Sequence, residues 1–262
     1  MLFRNRPEDA PPKPKRDEPV NRRELPFTRQ DVAAAGPEAG RESVLAHVAD
    51  HLPQYFASVL RPVTDVCKRL PEFLPRNVLD YGAGCGEGIY AMNEAFPDAP
   101  PRILAVEPCL PLAAVGRAFT EGMNGVTWSG AVPPPGPNSG VDLVLLNNAL
   151  AELPVEEQRS LVLKLWGHCS GVMLIVDAGT PAGFQAVAAA RQLLLERGPS
   201  SAVVAPCAHS HTCPVQDGRG IDFKYKWCHF SQRVISPSFQ RAVSTIHDSC
   251  TACSRNHAPH AS

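Results

Sequence analysis

The sequence carries almost no net charge, no long apolar run and no internal repeat, and each absence removes a class of protein. Lysine plus arginine total 25 against 26 aspartate plus glutamate, so bulk charge does not draw the chain onto nucleic acid. RNA contact has to come from local patches, and DNA is not expected as a partner. Nothing approaches the roughly 18 consecutive apolar residues of a membrane span, and no basic stretch followed by an apolar one opens the chain as a secretion signal would. The expectation is a globular protein without a membrane partner.

What is present supports one large α/β domain, or one domain with a small module. The chain has 262 residues, 44% of them hydrophobic, enough for a sizeable core. Residues 1–40 are rich in arginine, lysine, acid and proline, a composition that cannot bury a core. They are expected to be a disordered segment with a possible targeting role. From Arg41 apolar residues recur at three and four through Val44, Leu45, Val48, Leu52, Tyr55, Phe56, Val59 and Leu60, an N-terminal helical cap with Pro53 and Pro62 as expected kinks or boundaries. Strands are then expected at 77–80, 103–107, 126–129, 141–146 and 172–177. Helices are expected at 86–96, 112–121, 155–166 and 182–197, with a loop over 133–140. Such alternation predicts a parallel sheet with helices on both faces, over residues 41–200.

Within it, Val78-Leu79-Asp80-Tyr81-Gly82-Ala83-Gly84-Cys85-Gly86 runs from an apolar strand through an acid into three alternate glycines and a helix. Glycines there let the backbone turn tightly and let a ligand approach without a Cβ in the way. A second acid, Glu107, closes the next strand, where a carboxylate can accept both hydroxyls of a ribose. The GxGxG spacing after an aspartate resembles class I methyltransferases that bind S-adenosylmethionine more than the GxGxxG of NAD enzymes. That fold is a Rossmann-like sheet. The candidate cofactor-binding residues are Asp80, Gly82, Gly84, Gly86, Glu107 and Asn147, the last (with Asn148) at the end of the fourth strand. No Asp/Asn-Pro-Pro-aromatic motif for exocyclic amines follows that strand, and the Pro-Cys pairs at 108–109 and 206–207 lie elsewhere. No catalytic residue is identified.

Nine cysteines are divided unevenly. Cys67, Cys85, Cys109 and Cys169 are scattered singly, as buried thiols usually are. Cys207, Cys213, Cys228, Cys250 and Cys253 crowd into residues 201–262, read as a Cys/His-rich metal-binding extension. Four thiolates satisfy either zinc or an iron–sulfur cluster. Only Cys250 and Cys253 have the close spacing of a zinc knuckle, so spacing leaves cluster, zinc and no metal all open. His209, His211 and His229 read as surface or neighbouring groups, His211 being a credible substitute ligand. Phe223-Lys224-Tyr225-Lys226-Trp227-Cys228-His229-Phe230 interleaves bases with aromatics. That suits either RNA with unpaired bases or an alternating strand with its rings in the core.

Several stretches together resemble one family. Phe73 to Gly84 is similar to its glycine loop, and Ala151-Glu152-Leu153-Pro154 to the end of its fourth-strand segment. Ala178-Gly179-Thr180-Pro181-Ala182-Gly183-Phe184 is similar to its GTPxGF turn. Pro206-Cys207, Cys213-Pro214 and Trp227 to Arg233 are similar to its cysteine signature. The family is Rsm22, the methyltransferase-like 17 group of mitochondrial small-ribosomal-subunit proteins, which also has bacterial members. The resemblance runs from about Tyr55 to Phe239. It implies an assembly factor of the mitochondrial matrix that binds the small ribosomal subunit and its rRNA and carries a four-iron four-sulfur (4Fe-4S) cluster. Cys207, Cys213 and Cys228 would be ligands, with Cys250 (or Cys253) as the fourth. The alternatives are an active S-adenosylmethionine-dependent rRNA methyltransferase and a small-molecule methyltransferase with a zinc-binding tail.

Overall fold

Residues 37–69 form one helix where two prolines predict a break. The computed structural model describes residues 37–134, 140–197, 201–207, 209–217, 227–234 and 246–256. Helix α1 (Pro37–Arg69) runs through Pro53 and Pro62 without interruption. A proline inside a helix costs about 3 kcal/mol. Burial of Val59, Val63 and Val66 on one stripe of α1 contributes on the order of 1.5–3 kcal/mol each. Phe56 and Leu60 pack beside them, and packing outweighs propensity. Of the N-terminal segment, residues 1–36 lie outside the described residues, whereas Pro37–Gly40 already belong to α1.

Strands and helices then alternate: β1 (Asn77–Tyr81), α2 (Glu87–Ala95), β2 (Arg102–Val106), α3 (Leu110–Phe119), β3 (Val126–Ser129), β4 (Val141–Asn147), α4 (Val155–Trp166), β5 (Cys169–Ala178) and α5 (Pro181–Leu195). β6 (Ser201–Ala205), the single turn α6 (Pro214–Asp217), β7 (Phe230–Arg233) and β8 (Ile246–Asn256) complete the described chain. The sheet order is β3-β2-β1-β4-β5-β8-β6, with β7 pairing on β8. The pairs β1/β2, β1/β4, β2/β3 and β4/β5 are parallel, and β8 is antiparallel to β5, β6 and β7.

The period of two along the central strands divides the core. Val144 and Leu146 of β4, with Met173 and Ile175 of β5, face α4 and α5 through Val162, Leu165, Val187 and Leu194. Leu143 and Leu145, with Val172, Leu174 and Val176, face α1 and α2 through Val59, Val63, Ile89 and Met92. Both faces are covered, as near-continuous apolar strands require.

Residues 201–205 and 246–256 supply two strands of the same sheet, with Leu174 opposite Cys253 and Asp177 opposite Cys250. The cysteine-bearing residues between β6 and β8 are therefore an insertion between strands of one sheet. β5 is buried along most of its length, and its outer edge would leave main-chain donors and acceptors unpaired. β8 pairs them, although Ile246-His247-Asp248-Ser249-Cys250-Thr251-Ala252-Cys253 lacks the β-branched or aromatic alternation that announces a strand.

Candidate functional site

Two clusters lie at the carboxyl edge of the sheet, where open α/β sheets bind their ligands. The first is the glycine loop after β1. Gly82, Gly84 and Gly86 have φ of 75°, 54° and 99°, a region that side chains rarely enter. A Cβ on Gly84 would approach Glu87 Oε2 to 2.7 Å, and one on Gly88 would run into the Asp80 carboxylate. Larger residues would strain the turn and displace these buried carboxylates.

The acids around this loop are buried: Asp80 is 0% exposed, and Glu87 and Glu107 are each 1% exposed. Glu107 Oε2 accepts the Gly84 amide at 2.8 Å, and its Oε1 accepts the Cys109 amide at 2.8 Å. The residue expected to receive a ribose also braces the loop to the β2–α3 turn. Glu87, unnoticed in the sequence, accepts the Cys85 amide at 3.0 Å from the first turn of α2, where the helix dipole favours a carboxylate. Asn147 is buried at the end of β4, and its Oδ1 accepts from Asn148 Nδ2 at 2.7 Å. Asn148 stands at φ 46° and also donates to Ser58 Oγ of α1 at 3.4 Å. All six expected cofactor-binding residues fall at the ends of the adjoining strands β2, β1 and β4 or in the loop that follows β1.

Helix α1 closes over this cluster. Its Val44 packs with Cys85, Cys109 and Leu112, flanked by Val48 and Leu52. His47 and His51, both buried, have ring centroids 4.6 Å apart, and His51 stacks on Tyr55 at 5.2 Å. The spacing i, i+4, i+8 puts these three rings on one stripe of the helix. That signal was available in the sequence, but the apolar residues alone defined the expected cap.

The second cluster is a cleft, partly open to solvent, whose lining includes Cys207, Cys213 and Cys228 with Phe184, Val187 and Phe230. Burial pushes the Cys228 thiol above its ordinary range, and the charges of Cys207 and Cys213 push it further in the same direction. The three expected cysteines therefore share one apolar cleft. Among the described residues, no three His, Cys, Asp or Glu side chains converge tightly enough to hold a single metal ion. Cys250 is on β8 opposite Asp177. His209 and His211 stack at 5.8 Å beside the cysteines, and Trp227 tilts against His229 at 6.1 Å. Of the interleaved basic and aromatic stretch, residues 223–226 lie outside the described residues, while Phe230 is 43% exposed.

The turn after β5 seats this cleft. Thr180 caps α5 by accepting the Gly183 amide at 3.1 Å, and Pro181 supplies a first-turn residue without an N–H. A Cβ on Gly183 would run into the Ala178 carbonyl oxygen, so glycine is required for α5 to start this close to β5. Gly179 O accepts the Trp227 indole N–H at 3.0 Å, and Phe184 faces the cysteines. The physical work of the Gly-Thr-Pro-Ala-Gly-Phe stretch is to start α5 and to anchor the segment carrying Cys228.

The family model described as "Mitochondrial small ribosomal subunit Rsm22" matches residues 41–253. The human protein "Ribosome assembly protein METTL17, mitochondrial" is 27% identical over 186 residues, 65% of this chain and 41% of that protein. "Rsm22-cox11 tandem protein 2, mitochondrial" of Schizosaccharomyces pombe is 26% identical over 224 residues, 76% of this chain and 29% of that protein. This chain thus spans less than half the length of either relative. Among solved structures, the plantazolicin methyltransferase BpumL in complex with SAH superposes with a TM-score of 0.55 at 11% identity, covering 88% of this chain and 95% of that one. Together with the strand order, this establishes a class I methyltransferase fold.

Proposed function

This chain belongs to the Rsm22 family, and from that premise we propose that it is a mitochondrial assembly factor for the small ribosomal subunit, acting in the matrix and binding rRNA. Its methyltransferase fold serves as a platform, and the cysteine cleft anchors the part that meets the ribosome. The names of the human and yeast relatives support the setting. The exposed Phe230 beside Trp227 and His229 offers a ring to an unpaired base.

The observation that carries the reading is the meeting of Cys207, Cys213 and Cys228 on one cleft, from segments separated in sequence. Thiolates satisfy either an iron–sulfur cluster or zinc, and the resemblance of the cysteine signature to that of Rsm22 favours the cluster. Cys207, Cys213 and Cys228 would hold the 4Fe-4S cluster, with Cys250 as the fourth ligand on the adjoining strand. When bound, the cluster supplies a structural crosslink between the segments that carry its cysteines. The test is iron, sulfide and zinc content of protein purified without oxygen, combined with ribosome association of Cys207→Ser and Cys213→Ser. About four irons and four sulfides per chain, with association lost in both variants, is the expected result. Metal-free protein that associates normally overturns the reading.

A second reading is favoured by the glycine loop: S-adenosylmethionine bound by Asp80, Gly82, Gly84, Gly86, Glu107 and Asn147, with methyl transfer to rRNA. The positive-φ glycine loop and the Asn147–Asn148 pair at the end of β4 suit a nucleoside ligand. No residue is assigned to the transfer step itself. Calorimetric titration with S-adenosylmethionine and methylation of immature small-subunit RNA decide it, and absence of both leaves the fold as a platform only.

A further inference from the structure

Arg191 is a charged residue in an unfavourable place. It sits on α5 among Ala186, Val187, Ala190 and Leu194, is only 9% exposed, and lines the cysteine cleft. Burying a cation is costly unless it is paired, and among the described residues no carboxylate forms an ion pair with it. What it meets instead is main chain. One terminal nitrogen, Nη2, donates to the carbonyl oxygens of His209 at 2.7 Å and of His211 at 2.9 Å. Both carbonyls lie between Cys207 and Cys213.

A second arginine holds the start of the same segment. Arg69, in the last turn of α1, donates through Nη1 to Val204 O at 3.0 Å and through Nη2 to Pro206 O at 3.3 Å. The chain from β6 into the cysteine loop is thus gripped at four carbonyls by two helices packed on opposite faces of the sheet. Between the two grips the loop makes a tight turn of its own, His209 N to Cys207 O at 2.7 Å.

We propose that Arg191, assisted by Arg69, is the positioning residue of the cysteine cleft: it fixes the Cys207–Cys213 loop in the conformation that turns both thiols toward Cys228. The inference rests on the proposed metal role of the cleft for its purpose, but not for its geometry. A leucine at position 191 would pack into α5 at less cost and leave the loop carbonyls without a donor. A guanidinium also brings a positive charge to the wall of an apolar cleft, where the negative charge of ligating thiolates needs compensation. An arginine is the side chain that meets both demands from one helix position.

The test uses the full chain prepared without oxygen, as wild type, Arg191→Lys, Arg191→Met and Arg69→Gln. It is read before and after reconstitution with ferrous iron and sulfide. In metal-free protein, hydrogen exchange of the amides at 207–213 is expected to rise about tenfold or more in Arg191→Met, the scale of one charge-assisted hydrogen bond lost. Arg191→Lys, which keeps the charge and one donor group, restores part of the protection, and Arg69→Gln gives a smaller rise. After reconstitution, the rate of iron release to a chelator follows the same order, while exchange in β1 and β4 stays at the wild-type level. Wild-type exchange at 207–213 in a folded Arg191→Met overturns the proposal. If that variant does not fold, wild-type exchange in both Arg191→Lys and Arg69→Gln overturns it. Should the wild type take up no iron, the metal reading fails by itself, and the exchange data still decide the role of Arg191.

Discussion

Replacing Glu107 with alanine separates a brace from a ligand contact. The carboxylate is 1% exposed, and each oxygen accepts a main-chain amide at 2.8 Å, from Gly84 and from Cys109. Removing it leaves two buried donors without this acceptor. Each such donor costs about 1–3 kcal/mol, so Glu107→Ala is expected to lose about 2–6 kcal/mol before any ligand is considered. For a domain of this size 1 kcal/mol corresponds to roughly 2–4 °C in Tm, so a drop of roughly 4–24 °C is expected in a circular-dichroism melt. Glu107→Gln keeps one acceptor but turns an NH2 group toward one of the two amides, and falls between alanine and wild type. A melt within about 2 °C of wild type for Glu107→Ala refutes the bracing argument. If the brace is real, lost S-adenosylmethionine binding in this variant is not proof of a ribose contact. Titration of the folded Glu107→Gln protein is then the more telling experiment.

The turn after β5 gives a second prediction: Gly183→Ala, whose Cβ runs into the Ala178 carbonyl, is expected to cost about 1–3 kcal/mol. Thr180→Ala loses the cap on the Gly183 amide for about 1 kcal/mol, both read by urea denaturation. Burial raises the Cys169 thiol from 9.0 to about 12. The unfolded chain releases that proton first, so stability falls as pH climbs from 9.0 toward 12, by about 1.4 kcal/mol per pH unit. Cys169→Ala should remove that component of the alkaline slope, measured as a difference from wild type. Cys228 in metal-free protein should alkylate with a midpoint above that of an ordinary thiol. Changing Cys207 and Cys213 to serine should lower the midpoint only in part, because burial is the larger cause, and a full return to the ordinary value would refute this ranking.

The alternation of apolar segments and turns was enough to place β1 to β5 and the helices between them, because each is a local pattern whose period matches its structure. The glycines after Asp80 were legible for the same reason: a tight turn with positive φ depends on the residues that make it. The resemblance of the cysteine signature and the Gly-Thr-Pro-Ala-Gly-Phe turn to Rsm22 likewise rests on local strings, and the family match over residues 41–253 agrees with it. Reading failed where an element owes its conformation to a distant partner. Pro53 and Pro62 remain inside α1 because the valine stripe beyond them is buried on the sheet. Residues 246–256 form a strand because the edge of β5 needs pairing, not because their own pattern asks for one. The burial of Glu107 between two amides and the grip of Arg191 on the cysteine loop are products of tertiary packing. Sequence alone determined which residue types and turns were available. The tertiary structure decided which carbonyl each arginine meets and which edge each strand fills, since such satisfaction of main-chain groups is set by neighbours far away in the chain.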